Sequence, residues 1–256
     1  MNLHFLGTAG YHPNEDRHTA CYMIPESGIV LDAGTGFFRV RELAQTAELH
    51  VFLSHCHLDH CIGLSFFIDI MHDTPVQRFH VYGEAPKLEQ IRTHLFAREL
   101  FPVTPDFRWI PLEPGQPLQV PGQARLTPFP LDHPGGSLGL RFDWADHSLA
   151  YVTDTSTGPE AGYLNHISPV DLLLHECHFP DGMEELAAAS GHSCLTQVAR
   201  TCRAADVGRA VIIHLNPLTV GNPPLDLESV ANIFDRLSLG HDGLSLPLGP
   251  SITNRP

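Results

Sequence analysis

Apolar residues fall along the chain in short blocks, most of them cut off by glycine, proline or a polar pair. Segments 3–6, 19–24 and 29–32 alternate or run apolar over strand lengths, with turns at 7–10 and 25–28, and predict three opening strands. After the break at Gly34-Thr35-Gly36, spacing near 3.6 residues predicts a helix over 37–47. A short apolar strand over 50–53 runs straight into a histidine-rich segment, and 62–70 follows as a helix. Segment 79–82 predicts a strand, and 85–99 a helix with Arg92 and Arg98 facing outward. A β-rich stretch comes next, with strands at 107–110, 124–129, 138–143 and 148–153. The last third alternates: helix 161–166, strand 170–174, a loop over 180–190, helix 194–205, strand 210–213 and helix 226–237. Strands grouped first and then alternating with helices predict an α/β fold of four layers, αββα, with two mixed β-sheets inside and helices outside. No linker or charge run divides the sequence, so residues 1–256 read as a single domain.

Three apolar strands end abruptly in polar residues. Leu53 precedes Ser54-His55, Val152 precedes Thr153-Asp154, and Ile213 precedes His214. Strand ends form the rim of a sheet, so residues distant in sequence can converge there on rigid supports. The densest rim segment is His55-Cys56-His57-Leu58-Asp59-His60. In extended backbone His55 and His57 point the same way and can grip one ion. Asp59 and His60 come after a turn and can face a second. Four ligands do not complete two sites, and His133, Asp154 and His214 are the candidates to finish them. Neutral imidazole with carboxylate suits Zn²⁺ or Mn²⁺ first, and accepts iron. Among the other histidines, His12, His18 and His178 read as surface residues, with lining of the cleft as the alternative, and His72, His80, His94, His147, His166 and His241 as structural or surface ones.

A His-x-His-x-Asp-His segment after a strand, preceded by Asp32-Ala33-Gly34-Thr35-Gly36, resembles the metallo-β-lactamase superfamily. Phe5-Leu6-Gly7-Thr8, the run from His133 to Phe142, Tyr151-Val152-Thr153-Asp154-Thr155, His175-Glu176-Cys177-His178 and Gly191-His192-Ser193-Cys194 are similar to its ribonuclease Z-like branch, which includes small cyclic phosphodiesterases. The resemblance implies a metallo-β-lactamase-like sandwich and two divalent metal ions. His55, His57 and His133 would hold the first, Asp59, His60 and His214 the second, and Asp154 would bridge them. Asp32 would orient the metal loop. It further implies a metal-dependent hydrolase working through a metal-bridging hydroxide. Asp59 would steady the nucleophile's proton, His192 would protonate the leaving group and Glu176 would orient His192.

Composition narrows the substrate. Net charge is −14, with 29 acidic residues against 15 Lys and Arg; lysine occurs once, at Lys87, and no two of these basic residues are adjacent. A nucleic-acid binder usually shows a basic stripe, because phosphate neutralisation supplies much of its affinity. The transfer-RNA 3′-processing members of the branch carry a long basic arm between the third histidine and the bridging aspartate, and here Asp154 follows His133 by only 21 positions. The expectation is therefore a phosphodiesterase for a small or cyclic phosphodiester. The alternatives are a ribonuclease Z-like transfer-RNA endonuclease, a lactone or thioester hydrolase, and a non-catalytic metal-binding sensor. Six cysteines without a Cys-x-x-Cys pair read as reduced thiols. The amino terminus has no signal-peptide pattern and no apolar run spans a membrane, so a cytoplasmic protein is expected, and the resemblance suggests a homodimer.

Overall fold

The computed structural model describes residues 1–219, 221 and 223–249. The chain divides into two compact units, one made of residues 1–116 with 241–246, the other of residues 117–240 with the described residues from 247 onward.

The first unit is built on β1 (Asn2–Gly7), β2 (Cys21–Ile24), β3 (Ile29–Leu31), β4 (Glu48–Phe52), β5 (Arg78–Gly83) and β6 (Arg108–Pro111). These lie side by side in chain order, and a short strand over Ser245–Pro247 flanks β1 to make seven. β1, β2 and β3 form an antiparallel meander, while β3 through β6 run parallel. Parallel neighbours need a crossover between them. Those crossovers carry α1 (Val40–Leu43), α2 (Leu58–Cys61), α3 (Phe67–Met71) and α4 (Ala85–Gln90). Alternation along β4 and β5 sends Leu49, Val51, Phe79 and Val81 into a core shared with Phe37, Leu64, Ile70, Leu88 and Ile91 from the crossovers. Leu49→Ala there would cost about 2–5 kcal/mol.

The second unit repeats this plan. β7 (Leu118–Val120), β8 (Ala124–Leu131), β9 (Ser137–Asp143) and β10 (Ser148–Val152) are antiparallel; β11 (Leu172–Glu176), β12 (Arg209–Ile213) and β13 (Leu237–Leu239) continue from β10 in parallel. The crossovers hold α5 (Leu164–Ile167), α6 (Glu184–Ser190) and α7 (Leu195–Ala204). Ala150, Val152, Leu173, Ala210 and Ile212 pack with Ile167, Leu195, Val198 and Cys202. Two mixed seven-stranded sheets flanked by helices are thus present, as the sequence pattern predicts.

Helices are shorter than the periodicity predicts. The 37–47 segment begins as a 3₁₀ turn over Thr35–Arg39 before α1, and 62–70 as a 3₁₀ turn over Ile62–Phe66 before α3. Close packing is the reason: a Cβ on Gly36 would sit 2.4 Å from the Leu6 carbonyl oxygen, and one on Gly63 would sit 2.3 Å from that of Gly34. The 85–99 segment relaxes from α4 into a π-turn over Ile91–Leu95. Two expectations are corrected. The 180–190 loop contains α6, whose acidic first turn and left-handed Gly191 cap are ordinary helix signals. The 226–237 helix is a 3₁₀ turn, Leu227–Val230, after which the chain joins the sheet as β13. Val230 and Phe234 are buried as a helix would bury them, but the open edge of β12 captures the backbone from Arg236 onward.

Candidate metal-ligand clusters

In the first unit the ligand candidates are organised by a buried carboxylate. Asp32 follows β3 with φ at 54°, a left-handed conformation that aspartate tolerates better than most residues. Its Oδ1 accepts the Ser54 amide at 2.7 Å; its Oδ2 accepts the Ser54 hydroxyl and His60 Nδ1, each at 2.7 Å. Ser54 directly follows Leu53 at the end of β4, so one carboxylate fixes both ends of the histidine-rich segment. His57 stands at the N-cap position of α2, in extended backbone, and α2 carries Asp59 and His60. The Asp59 carboxylate accepts the Tyr11 amide at 2.7 Å and lies 3.3 Å from His60 Nε2. Rings of His55 and His57 are 4.4 Å apart, and those of His55 and His60 4.3 Å. The glycine turn after Asp32 presses on this loop: Ala33 donates to the His60 carbonyl, and a Cβ on Gly34 would meet the Asp59 carbonyl oxygen at 2.2 Å.

In the second unit Asp154 follows β10 with φ at 49°, and His214 follows β12 with φ at 52°. Two left-handed non-glycine residues, after the strands on either side of β11, store strain where side chains are aimed. Asp154 presents one oxygen to each of two histidines: Oδ1 lies 3.1 Å from His214 Nε2, and Oδ2 lies 3.6 Å from His133 Nε2. Thr153 donates to Oδ1 at 2.7 Å. His133 Nδ1 donates to the Gly191 carbonyl at 3.0 Å. Burial pushes the His133 ring below its ordinary value, with Asp154 opposing.

Beside this group stands a histidine–glutamate pair. Glu176, fully buried at the end of β11, accepts His192 Nδ1 at 3.0 Å and the Thr155 amide at 3.0 Å on Oε1, and the His178 amide at 2.9 Å on Oε2. Burial would raise the Glu176 carboxyl, but the charge and hydrogen bond of His192, with His214 adding, hold it below the usual carboxylate value. The His192 ring lies 5.2 Å from that of His133 and 5.5 Å from that of His214.

His178, read from sequence as a surface residue, is buried. Its ring stacks on His192 at 4.4 Å, and burial, with His214 and His192 adding, pushes it down to about 4. The signal was present: His178 lies two residues beyond Glu176, the same period-two step that links His55 to His57. Every predicted site residue of each unit therefore falls into a cluster with others of that unit. The donor chemistry fits a divalent metal. Asp32 and the Gly191 carbonyl can only accept, so His60 and His133 carry their protons on Nδ1 and offer Nε2 as the ligand atom.

A family model described as a beta-lactamase superfamily domain matches residues 28–215. The chain is 22% identical over 300 residues to a ribonuclease Z of Archaeoglobus fulgidus, covering 96% of this chain and 97% of the relative. In structure it is similar to the metallo-beta-lactamase fold protein YhfI from Bacillus subtilis, with TM-score 0.76, 21% identity and coverage of 96% and 99%. It is also similar to a diphosphatase of the PhnP family, with TM-score 0.71, 18% identity and coverage of 96% of both chains. Among the described residues, no helix is long and apolar enough to cross a membrane.

Proposed function

The chain belongs to the beta-lactamase superfamily and is a metal-dependent hydrolase of the metallo-β-lactamase fold, and from that premise we propose that it is a binuclear phosphodiesterase for a small or cyclic phosphodiester. In this reading His55, His57 and His133 would hold one cation, Asp59, His60 and His214 would hold the other, and Asp154 would serve both. The presentation of one Asp154 oxygen to His133 and the other to His214 supports the bridging role. Two divalent cations, zinc or manganese, would supply Lewis acidity at the phosphoryl oxygens and bring a water toward neutral pKa.

The observation that carries the phosphodiester assignment is the His192–Glu176 pair. Phosphodiester cleavage expels an alkoxide, a poor leaving group that needs a proton as the ester bond breaks. Glu176 accepts from Nδ1, so Nε2 of the protonated ring is the position that donates to the departing oxygen. Glu176 stabilises the imidazolium meanwhile, and its depressed pKa keeps it ionised for that task. Asp59 is anchored by the Tyr11 amide through Oδ2 and is the carboxylate assigned to the nucleophile's proton.

The small-substrate assignment rests on β9 and β10. The chain turns between them within Trp144 to His147, closed by the Trp144 amide on the His147 carbonyl at 2.9 Å. These strands and their turns use up the span from His133 to Asp154, leaving no room for a basic arm, and the chain carries net charge −14. A second reading, RNA 3′-end cleavage, is favoured by the full-length similarity to a ribonuclease Z. The two are separated by comparing kcat/KM of the metal-loaded protein on 2′,3′-cyclic nucleotides and on a transfer-RNA precursor with a 3′ trailer. The proposal expects turnover of the cyclic esters and no site-specific RNA cleavage. Efficient cleavage at the trailer, with the cyclic esters inert, overturns it.

A further inference from the structure

Away from the ligands assigned above, β4 and β5 carry a second group of metal-binding side chains. Their parallel register sets Glu48 opposite Arg78, His50 opposite His80 and Phe52 opposite Tyr82. Period-two alternation places these on the face opposite Leu49, Val51, Phe79 and Val81, which fill the helix-covered core. Two histidines side by side on interior strands are unusual where β-branched or aromatic residues normally pack. Their rings stack at 4.5 Å with 7° between planes. His80 Nε2 lies 3.1 Å from Glu48 Oε2; His50 Nε2 lies 3.9 Å from the same oxygen, beyond hydrogen-bond length. Arg78 holds the other oxygen, Oε1, at 3.1 Å and so turns Oε2 toward the rings. The Tyr82 hydroxyl is 3.0 Å from His50 Nδ1. One atom from each of Glu48, His50 and His80 lies within 4.8 Å of the other two.

We propose that Glu48, His50 and His80 form a separate binding site for one divalent transition cation of the zinc class. Two imidazoles and a carboxylate are a three-ligand set that zinc accepts with water in the fourth position, and that magnesium and calcium disfavour. Nδ1–H of His50 donates to the Tyr82 oxygen, which leaves the Nε2 lone pair for the ion. Capture turns the two rings out of their parallel stack so that both nitrogens face one point. Side-chain exposure of 44% at Glu48 against 12% at His50 and 6% at His80 gives the ion an entry on the carboxylate side. The bound ion would strap β4 to β5 at the start of the strand whose far end leads to His55.

Equilibrium dialysis against Zn²⁺ and Co²⁺ tests this in a chain already carrying His57→Ala and Asp154→Ala, which removes ligands of the proposed catalytic centre. About one equivalent should remain bound, with the visible absorption of low-coordinate Co²⁺, and adding His50→Gln or Glu48→Gln should abolish it. In the otherwise unaltered chain, Zn²⁺ should shift the imidazole ¹⁵N resonances of His50 and His80, and His50→Gln should leave hydrolysis unchanged. A folded His57→Ala, Asp154→Ala chain that retains no ion, an equivalent that survives His50→Gln and Glu48→Gln, or imidazole resonances unmoved by Zn²⁺ each overturns the proposal, whatever the fate of the hydrolase reading.

Discussion

Single residues do the aiming in both clusters. Asp32 binds Ser54 and His60 at once, and Asp154 offers separate oxygens to His133 and His214. The role given to His192 makes a specific kinetic demand. His192→Gln removes the proton donor, so hydrolysis of esters with alkyl leaving groups should fall by roughly 10²–10⁴-fold. Bis-p-nitrophenyl phosphate, whose leaving group departs without a proton, should lose far less. Equal losses on both substrates would mean that His192 only shapes the site. The metal candidates were legible because His133, Asp154 and His214 stand just past apolar strands and the other four are compressed into the one segment that follows β4. His178 was misread: its two-residue step from Glu176 was there to be seen, but its burial also depends on His192 stacking over it, a contact that no sequence spacing encodes.

At the level of elements, the turn from α6 into Gly191 matters most. Gly191 caps the helix at φ 72°, its carbonyl accepts His133 Nδ1, and a Cβ there would sit 2.4 Å from Pro134 Cδ. Gly191→Ala should therefore destabilise the metal-free chain by about 1–2 kcal/mol from the left-handed backbone alone. It should also weaken metal binding through His133, and thermal melts with and without metal separate the two effects. The strands were readable from apolar blocks and the turns between them. The helices were readable as to place but not length, because close glycine contacts such as Gly36 on Leu6 convert their first turns to 3₁₀. α6 was missed because only Ala187 of its seven residues is buried, so it has no apolar stripe to detect. The 226–237 segment misled for the opposite reason: its apolar spacing is helical, but the chain leaves its 3₁₀ turn and pairs with the edge of β12 from Leu237 to Leu239.

At the scale of the whole molecule, the two units share one plan, an antiparallel meander passing into parallel strands, with ligand candidates after the parallel strands of each. The family was legible because its ligand set is compressed into a few short segments. The substrate was not, because specificity comes from loops whose conformation no periodicity encodes. Stability should also respond to acid through His50, which faces Glu48, His80, Tyr82 and, across Glu48, Arg78. In the metal-free chain its ring titrates near 4 when folded and near 6.5 when unfolded. Above 6.5 neither state takes the proton. Between 6.5 and 4 only the unfolded chain does, so stability falls as pH falls. Chemical denaturation across that range should show a shallower loss in His50→Gln. The central claim, metal-dependent phosphodiester hydrolysis, is tested most directly on bis-p-nitrophenyl phosphate, with the chain stripped and reloaded with Zn²⁺ or Mn²⁺ beside an Asp154→Ala variant. The account predicts nitrophenol release that requires metal and is lost in the variant. No release with either metal, from a chain shown to bind two ions, would contradict it.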